Sequence, residues 1–275
     1  MSQSKLISID LRADFGFFKK PDINDGIMLS YNMIHKPCIL GVLGAVIGLG
    51  GYQRKGEFPE YYQKLKDLPI GIEPLEHERG NYSKTSVKYT NTVGYANADG
   101  TLLVEEMMLI SPAYRCYLLL DLENELHTKL HDYLKAGQSD YIPYLGKNEY
   151  QACWLDETGE VSFREYSFDE IHSVEQSFRL SSVFTIGNLK VNKALDDDDE
   201  DDNPANYYDV GLTLKTAENP PFAYFERLPV GFDTQLVQYK MAKHVFTTFL
   251  LKANSSLSNL YTVECNNEQK YVQLV

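Results

Sequence analysis

The feature that most constrains how this chain can fold is an apolar segment, residues 38–49, which follows Pro37 and ends before Gly50-Gly51. Proline suits a first helical turn because its missing N–H has no partner there, and paired glycines favour a helix end. The segment therefore predicts a short helix that is buried on most sides. Its interior glycines are Gly41, Gly44 and Gly48. Each costs roughly 1 kcal/mol against alanine in a helix, so we expect a closely packed sheet or a ligand backbone to compensate.

Length and composition indicate a globular protein. The chain has 275 residues, of which 43% are hydrophobic, enough for one large domain or two small ones. Its longest apolar run is shorter than the roughly 20 residues that span a bilayer, and the N-terminus lacks the apolar region of a signal peptide. These features predict a cytoplasmic protein with no membrane segment. The four cysteines are far apart and form no C-x-x-C pair, which predicts free, mostly buried thiols.

The charge distribution is uneven. The formal net charge is −13, but seven acidic residues form one run at 196–202, which predicts a disordered acidic loop. Residues 79–98 contain no acid. They interleave the cations Arg79, Lys84 and Lys88 with the aromatics Tyr82, Tyr89 and Tyr95. A local basic and aromatic surface on an acidic protein favours a narrow nucleic-acid site that depends on partner subunits.

Hydrophobic periodicity predicts the order of the elements in the first half of the chain. A strand at 6–15 precedes the glycine-rich helix, and strands at 85–96 and 101–110 form a long hairpin across 97–100. Another strand, 115–120, leads into a helix that Asp121 caps and Gly137 ends. The apolar stripe of this helix is Leu122, Leu126, Leu130 and Leu134. A last strand is predicted at 150–155.

This order is the split β-α-β-β-α-β arrangement, so we predict an α+β fold with a ferredoxin-like domain of the RNA-recognition type over residues 1–158. Its helices would cover one face of an antiparallel sheet and leave the other face free for a ligand. Residues 159–275 read as a smaller, mainly β region that contains the acidic loop. Its strands are predicted around 178–186, 222–228, 239–251, 260–264 and 270–274.

Three other classes of site fit the residues less well. A dinucleotide-binding fold would need a G-x-G-x-x-G directly after a strand, whereas Gly48-Leu49-Gly50 closes a helix. His127 and His131 stand four residues apart on a helix and could share a metal, but there is no H-E-x-x-H and no third ligand. A metabolic enzyme acting on a phosphorylated substrate would need a convergent acid–base pair, which the sequence does not indicate.

Several segments resemble a known family. They are Gly16-Phe17-Phe18-Lys19-Lys20-Pro21, Ser30-Tyr31, the helix segment 40–49, the stretch 141–150 (Tyr-Ile-Pro-Tyr-Leu-Gly-Lys-Asn-Glu-Tyr) and Glu226-Arg227-Leu228-Pro229-Val230-Gly231. Together they resemble the Cas "five" family of the RAMP superfamily, subunits of type I CRISPR effector complexes (Cascade), and most of all its I-B branch. The resemblance spans most of the chain, and the first 150 residues carry its specific part.

The resemblance implies a non-catalytic subunit that holds the 5′ handle of the guide RNA (crRNA) and caps the backbone of an antiviral complex. The hairpin 85–110 would be a thumb that reaches toward the neighbouring backbone subunit. Further partners would be the large subunit and target DNA near the protospacer-adjacent motif, with no cofactor. The residues expected to contact RNA are Phe17, Lys19, Lys20, Tyr31, His35, Lys36, Gly41, Lys84, Lys88, Tyr89 and Lys147.

Each type of residue would have a different role in binding RNA. The helix N-terminus at 36–41 would present backbone N–H groups to phosphate, and Gly41 would let the RNA backbone approach. Phe17 and Tyr31 would stack on bases while the lysines neutralise phosphates. The alternative for the two aromatics is a place in the core, and exposed lysine pairs are often simply solvated.

A second function remains open within the same family, because one branch cuts the guide precursor with Tyr, Lys and His and without metal. Candidate acid–base groups here are Tyr52, His35, Lys36, His127 and Lys129. No grouping among them matches the motif of the cutting branch. We therefore expect a binder, and a separate processing nuclease among its partners.

Overall fold

The computed structural model describes residues 4–22, 26–90, 102–156, 158–186, 189–190, 212–216 and 220–275. Over these residues the chain is mostly β, with three helices. The acidic run 196–202 and the hairpin turn 97–100 lie outside the described residues.

The largest sheet, called the main sheet below, has seven strands. In spatial order these are β11 (Leu189–Lys190), β16 (Ser256–Cys265), β9 (Arg164–Ser173), β1 (Ser4–Arg12), β8 (Ala113–Asp121) and β5 (Ile70–Leu75), and β17 (Glu268–Gln273) pairs with β16. The neighbours β9, β1, β8 and β5 are antiparallel throughout. This sheet takes strands from both sides of residue 158. The division of the chain into two regions at that residue stays a prediction.

Two of the longer strands of the main sheet come from segments that the sequence did not predict as strands. Ile70–Leu75 lies in a connection whose Gly71 and Pro74 hide the strand pattern, yet Ile70 and Ile72 are buried. Arg164–Ser173 pairs with β1, whereas the predicted strand 150–155 forms only isolated bridges such as that from Cys153 to Arg12. The prediction of a regular strand at 150–155 is therefore wrong.

A second sheet, called the hairpin sheet below, has five strands. They are β2 (Phe15–Gly16), β7 (Leu103–Ile110), β4 (Ile27–Tyr31), β3 (Phe18–Lys19) and β6 (Lys84–Thr90), which pairs with β7. The predicted hairpin is confirmed over the described parts of its two strands. It belongs to this sheet and not to the main one. β4 was not among the predicted strands, and it forms one because it pairs in parallel with β7.

Two smaller sheets complete the β structure. One contains β10 (Phe184–Thr185), β14 (Gln238–Thr247) and β13 (Ala223–Asp233), and the other contains β12 (Leu212–Thr216) and β15 (Phe249–Leu251). β13 and β14 form a long antiparallel hairpin, and α1 contacts β13. The second half of the chain is therefore mainly β over its described residues, as predicted.

The glycine-rich helix α1 (Lys36–Val46) carries Pro37 in its first turn and is largely buried, as predicted. It ends at Val46, earlier than predicted, because Gly48 turns the backbone into the left-handed region at a φ of +77°. A Cβ at Gly44 would lie 2.4 Å from the Cβ of Tyr61, in the short helix α2 (Glu60–Leu65). The close packing that offsets this glycine comes from α2, and not from a sheet or a ligand.

The other long helix is α3 (Glu125–Ala136). Its N-cap is Asn124, whose side chain accepts a hydrogen bond of 2.9 Å from the Leu126 N–H, so the prediction of Asp121 as the cap is wrong. Gly137 ends it with a φ of +67°, and the leucine stripe packs into the core, both as predicted. No helix in the described ranges is long and apolar enough to cross a membrane.

The main sheet curls until its ends meet. Ile70 in β5 and Val275, two residues beyond β17, exchange backbone hydrogen bonds of 3.1 and 2.9 Å. The strands β1, β8, β5, β17, β16 and β9 thus form a closed ring. Helices α1 and α3 pack against its outer face, and a separate apolar cluster with Leu6, Tyr117 and Val263 fills its inside. The prediction that the second face of the sheet is free is therefore wrong.

Candidate nucleic-acid interface

Three of the predicted contact residues meet at the hairpin sheet. The Nζ of Lys147 lies 5.1 Å from the ring centroid of Tyr89 and 5.7 Å from that of Phe17. Glu106, a buried residue of β7, forms a close ion pair with Lys147 and accepts a 3.1 Å hydrogen bond from the Tyr89 hydroxyl. We call Phe17, Tyr89, Glu106 and Lys147 the hairpin cluster. It combines a cation with the ring of Tyr89, which is 44% exposed. Phe17 is only 5% exposed, so the packing supports the core alternative for this aromatic.

The groups around Lys147 keep its side chain protonated. Burial lowers the pKa of Lys147, but the hydrogen bond and the negative charge of Glu106 outweigh it, so the net shift is upward. The ammonium group therefore stays protonated at any physiological pH. It can offer its remaining donors to a phosphate while Tyr89 offers a ring face to a base.

Gly146 allows Lys147 to approach Phe17. Its φ is +89°, a conformation that side chains rarely adopt, and a Cβ there would lie 1.8 Å from the carbonyl oxygen of Phe17. The Phe17 N–H also donates a 3.0 Å hydrogen bond to the Leu145 carbonyl. The loop 141–150 is thus held against the exit of β2 by backbone contacts, and only glycine fits at this point.

Strand register shows which predicted residues share the face of the hairpin cluster. Val87 pairs with Glu106, so Tyr89, two residues further along β6, lies on the Glu106 side. Met28 also pairs with Glu106, and Ser30 pairs with Lys19. Because side chains alternate along a strand, exposed Lys19 belongs to this same face.

The two hairpin lysines lie on the opposite face. Lys84 and Lys88 alternate with Tyr89, and Lys88 forms a 3.0 Å ion pair with Glu105. Both lysines are exposed. The predicted thumb contacts therefore divide into one aromatic face and one basic face. This division follows from the sequence, because odd and even positions of a strand point to opposite faces.

Tyr31 and His35 lie in the interior. Tyr31 is 3% exposed, and its pKa is raised to about 12, mainly by burial. The ring of His35 packs edge-on against Tyr31 at 5.4 Å, and burial lowers the pKa of His35 to about 3. Its Nδ1 finds no hydrogen-bond partner among the described residues. Neither ring presents a face to solvent, so the core alternative for Tyr31 is the one that the packing supports.

The chain's own carboxylate occupies the backbone donors just before α1. Glu226 of β13 accepts hydrogen bonds of 3.1 to 3.2 Å from the N–H groups of Asn32 and Met33, and Lys20 pairs with it at 3.1 Å. The Lys20 Nζ also lies 5.1 Å from the Tyr31 ring centroid. No local signal predicts this contact, because Glu226 reaches the site only when β13 folds back over the first half of the chain.

The start of α1 is also engaged. The Nζ of Lys36 donates a 2.9 Å hydrogen bond to the Val275 carbonyl, and burial lowers the pKa of Lys36. Gly41 faces the ring of Tyr61, 3.7 Å from its would-be Cβ. These groups are used within the fold, and an RNA contact at Lys36 or Gly41 stays a prediction.

The candidate acid–base groups are held apart by their own partners. The Nδ1 of His127 accepts a 3.1 Å hydrogen bond from the Asp121 N–H. Lys129 binds the Ile47 carbonyl at 2.9 Å and Asp140 at 2.8 Å, next to the end of α1, whereas His35 caps its start. Tyr52 is an exposed residue beyond α1. No group of three metal-ligating side chains occurs within the described part of the chain.

No protein-family model matches the chain, and no curated protein matches it. Several solved structures with a similar arrangement and low identity are described as CRISPR or Cas proteins. A CRISPR protein from Archaeoglobus fulgidus is 11% identical over 98% of this chain and 99% of its own, with a TM-score of 0.45.

Two complexes contain similar chains. One is a CRISPR RNA-guided surveillance complex, with 13% identity over 89% of this chain and 91% of the other, and a TM-score of 0.43. The other is a type III-B Cmr-beta complex bound to cognate target RNA and AMPPnP, with 12% identity over 91% and 86%, and a TM-score of 0.44.

Proposed function

We propose that this protein is a non-catalytic RNA-binding subunit of a CRISPR interference complex, of the Cas "five" kind and nearest the I-B branch. It binds the 5′ handle of the guide RNA and caps the backbone. The observation that carries the proposal is the face of the hairpin sheet that presents Tyr89, Lys147 and Lys19 together. A ring for stacking beside cations for phosphates is the combination that single-stranded RNA requires.

The topology of the main sheet supports the ferredoxin-like part of the proposal. Four antiparallel strands lie in the order β9-β1-β8-β5, with α1 between β1 and β5 along the chain and α3 between β8 and β9. This is the strand order of a split β-α-β-β-α-β unit. The RNA face in this proposal is not that sheet's enclosed face, but the hairpin sheet beside it.

The two faces of the hairpin suit two different partners. Tyr89 and Lys147 would hold the handle, while Lys84 and Lys88 on the other face would contact the neighbouring backbone subunit. With a net charge of −13, the free protein should bind RNA weakly and with strong salt dependence. Binding should therefore tighten when the backbone and large subunits supply the remaining surface.

A binding role, and not cleavage, is supported by how the candidate acid–base groups are used. Metal-independent cleavage needs a base and an acid within hydrogen-bond reach of one ribose. His35 is buried and neutral, and Lys129 is paired with Asp140. Neither His35 nor Lys129 lies on the face of the hairpin sheet that carries Tyr89 and Lys147.

The test is to purify the complex from cells through a tag on this chain, after co-expression with backbone and large subunits, and to sequence the bound RNA. We expect guide RNA with its 5′ handle. Tyr89→Ala and Lys147→Gln should each reduce its retention by about tenfold, since a stacked base is worth roughly 1–3 kcal/mol. Lys64→Gln, an exposed α2 lysine paired with Glu60, is the matched control and should leave retention unchanged. Equal retention by all three variants would exclude the hairpin cluster as the RNA site.

A further inference from the structure

The closed ring of strands has an interior with two chemically different layers. Leu6, Tyr117, Val263, Val272 and Leu274 form an apolar plug in which each side chain is buried. Nearer one end the inward positions become charged. Barrel mouths of this kind are recurrent ligand sites, because a packed floor supports polar groups that face a single opening.

The charged layer is called the barrel mouth below, and each of its five residues comes from a different strand of the ring. They are Asp10, Glu73, Arg115, Arg164 and Lys270. Arg115 binds Asp10 with Nε and Nη2 at 2.7 and 2.9 Å, and Arg164 binds it with Nη1 at 3.0 Å. Glu73 lies 3.7 Å from both Arg115 and Lys270. The ion pairs therefore continue across the seam where β5 meets β17.

The barrel mouth has an excess of positive charge. It holds three cations against two carboxylates, and both carboxylates are already engaged. Burial raises the pKa of Asp10, but the hydrogen bonds and charges of Arg115 and Arg164 outweigh it, so the net shift is downward and Asp10 stays ionised. Glu73 accepts a 2.6 Å hydrogen bond from the Tyr117 hydroxyl. A further carboxylate, Glu268, sits at the rim with its side chain 70% exposed, where solvent screens it.

Donors remain at the opening. A guanidinium has five N–H donors, and the contacts of the described residues account for only Nη1 of Arg164, whose side chain is 36% exposed. The carboxylates nearest the Lys270 Nζ are 3.5 and 3.7 Å away, too long for strong hydrogen bonds. Asn266 and Asn267, with φ of +53° and +63°, turn the chain sharply between β16 and β17 at the edge of this opening.

A cavity of about 90 Å3 occupies the mouth. Its lining residues are Arg115, Arg164, Tyr166, Val263, Cys265, Asn266, Glu268 and Lys270. A water needs roughly 10–15 Å3 of such volume, so the cavity has room for a group of about five or six heavy atoms. It is too small for a nucleoside, whose base would have to stay outside.

We propose that the barrel mouth binds a terminal phosphate group, held by Arg164 and Lys270 with the Asn266 amide at its edge. A phosphate monoester matches the size of the cavity and the positive excess, and its three terminal oxygens suit a guanidinium fork beside an ammonium. Because the apolar plug closes the inner end of the cavity, a terminal phosphate group can enter it. A phosphodiester cannot, because its chain would have to continue on both sides of the phosphate. The source is either a small phosphorylated molecule or the phosphorylated end of a nucleic acid.

The first measurement uses inorganic phosphate with the full-length protein at low ionic strength, followed by calorimetry and thermal unfolding. Saturating phosphate should raise Tm by about 5 °C or more relative to chloride of equal ionic strength. Arg164→Gln and Lys270→Gln should each weaken binding by at least about tenfold, because each removes a charged hydrogen bond. Lys5→Gln, a β1 lysine paired with Glu165 outside the cavity, should bind like the wild type.

A second measurement does not depend on variants that could disturb the fold. Cys265 lines the cavity, and its alkylation in a Cys153→Ser background should slow when phosphate is present. Nucleoside monophosphates and 5′-phosphorylated RNA then separate the two sources, with 5′-hydroxyl RNA as the control. Protection by either phosphorylated ligand supports the site. Unchanged alkylation with phosphate, or equal phosphate affinity in wild type and both variants, overturns it, and neither result bears on the hairpin cluster.

Discussion

The packing of α1 on α2 makes opposite predictions for two glycines in one helix. Alanine at either position gains roughly 1 kcal/mol of helix propensity. At Gly41 the new Cβ would lie 3.7 Å from the nearest atom of Tyr61, an ordinary contact. At Gly44 it would lie 2.4 Å from the Tyr61 Cβ and 3.0 Å from its Cγ, so α2 must move by about 1 Å. Only the second substitution carries a steric cost.

The overpacking cost and the gain in helix propensity together decide whether each variant is more or less stable than the wild type. Overpacking costs roughly 1–3 kcal/mol, and the upper part of that range applies here because a Cβ is fixed to the backbone and cannot rotate away. After the gain in propensity, Gly44→Ala should lose about 1–2 kcal/mol, whereas Gly41→Ala should gain up to about 1 kcal/mol. For a chain of this size the two variants should differ in Tm by about 2–12 °C.

The assay is urea or thermal unfolding followed by far-UV circular dichroism, with both variants and the wild type measured side by side. Tyr61→Gly combined with Gly44→Ala provides the control, because it removes the Tyr61 Cβ that the new methyl group would meet and should make the double variant less destabilised than the sum of the singles. If Gly44→Ala were as stable as Gly41→Ala, close approach of α2 could not explain the glycine.

Four further outcomes are expected. Charge reversal of Lys84 and Lys88 to Glu should reduce assembly with the backbone subunit without lowering Tm, because exposed lysines contribute little to stability; an unchanged yield of complex would refute the thumb. Repeat RNA incubated with the purified protein in chelator should give no product that ends at the handle boundary, and its appearance would identify a nuclease. Val237 has a φ of +52° at an exposed hairpin tip, so Val237→Asn should raise stability by about 1 kcal/mol, measured by urea unfolding. His35 has a pKa of about 3 in the fold against 6.5 in the unfolded chain, so stability should fall by up to about 1.4 kcal/mol per pH unit as pH drops from 6.5 toward 3. His35→Gln should flatten that slope, and an equal slope in both proteins would contradict the assignment.

The two longer helices, α1 and α3, could be predicted because their signals are local. Pro37 marks the first turn of α1, Gly137 takes the left-handed conformation that ends α3, and a leucine stripe recurs every four residues. The two strands of the hairpin were also readable from alternation. Each of these signals is contained within about a dozen residues, where neighbouring side chains decide the conformation.

The strands β4 and β5 escaped prediction because their partners decide their state. Ile27–Tyr31 is short and follows a polar stretch, and it becomes a strand only by parallel pairing with β7. Ile70–Leu75 contains Gly and Pro, which argue against a strand, but β8 and the end of the chain bond to it on both edges. Long-range pairing outweighed local propensity in both cases.

The candidate site was predictable in part for the same reason. Lys147 and Phe17 were named from separate segments, and the geometry brings them together with Tyr89. The burial of Tyr31 and the use of Lys20 by Glu226 depend on β13, which lies far along the chain. A residue type fixes what a side chain can do, but its exposure depends on elements that fold over it later.

The alternation in β1 shows how one pattern can have two structural meanings. Ser8 and Asp10 alternate with Ile7 and Ile9, a pattern that predicts one solvent-exposed face. Both polar residues are nevertheless buried inside the closed ring of strands. A buried carboxylate without partners would cost several kcal/mol, so this interior exists only because two arginines on other strands bind Asp10. Asp10→Ala should therefore damage the fold more than the loss of an exposed carboxylate would, since it removes the acceptor that both guanidinium groups share. A polar stripe on a strand thus indicates either solvent or a barrel interior, and complementary charges on the neighbouring strands distinguish the two.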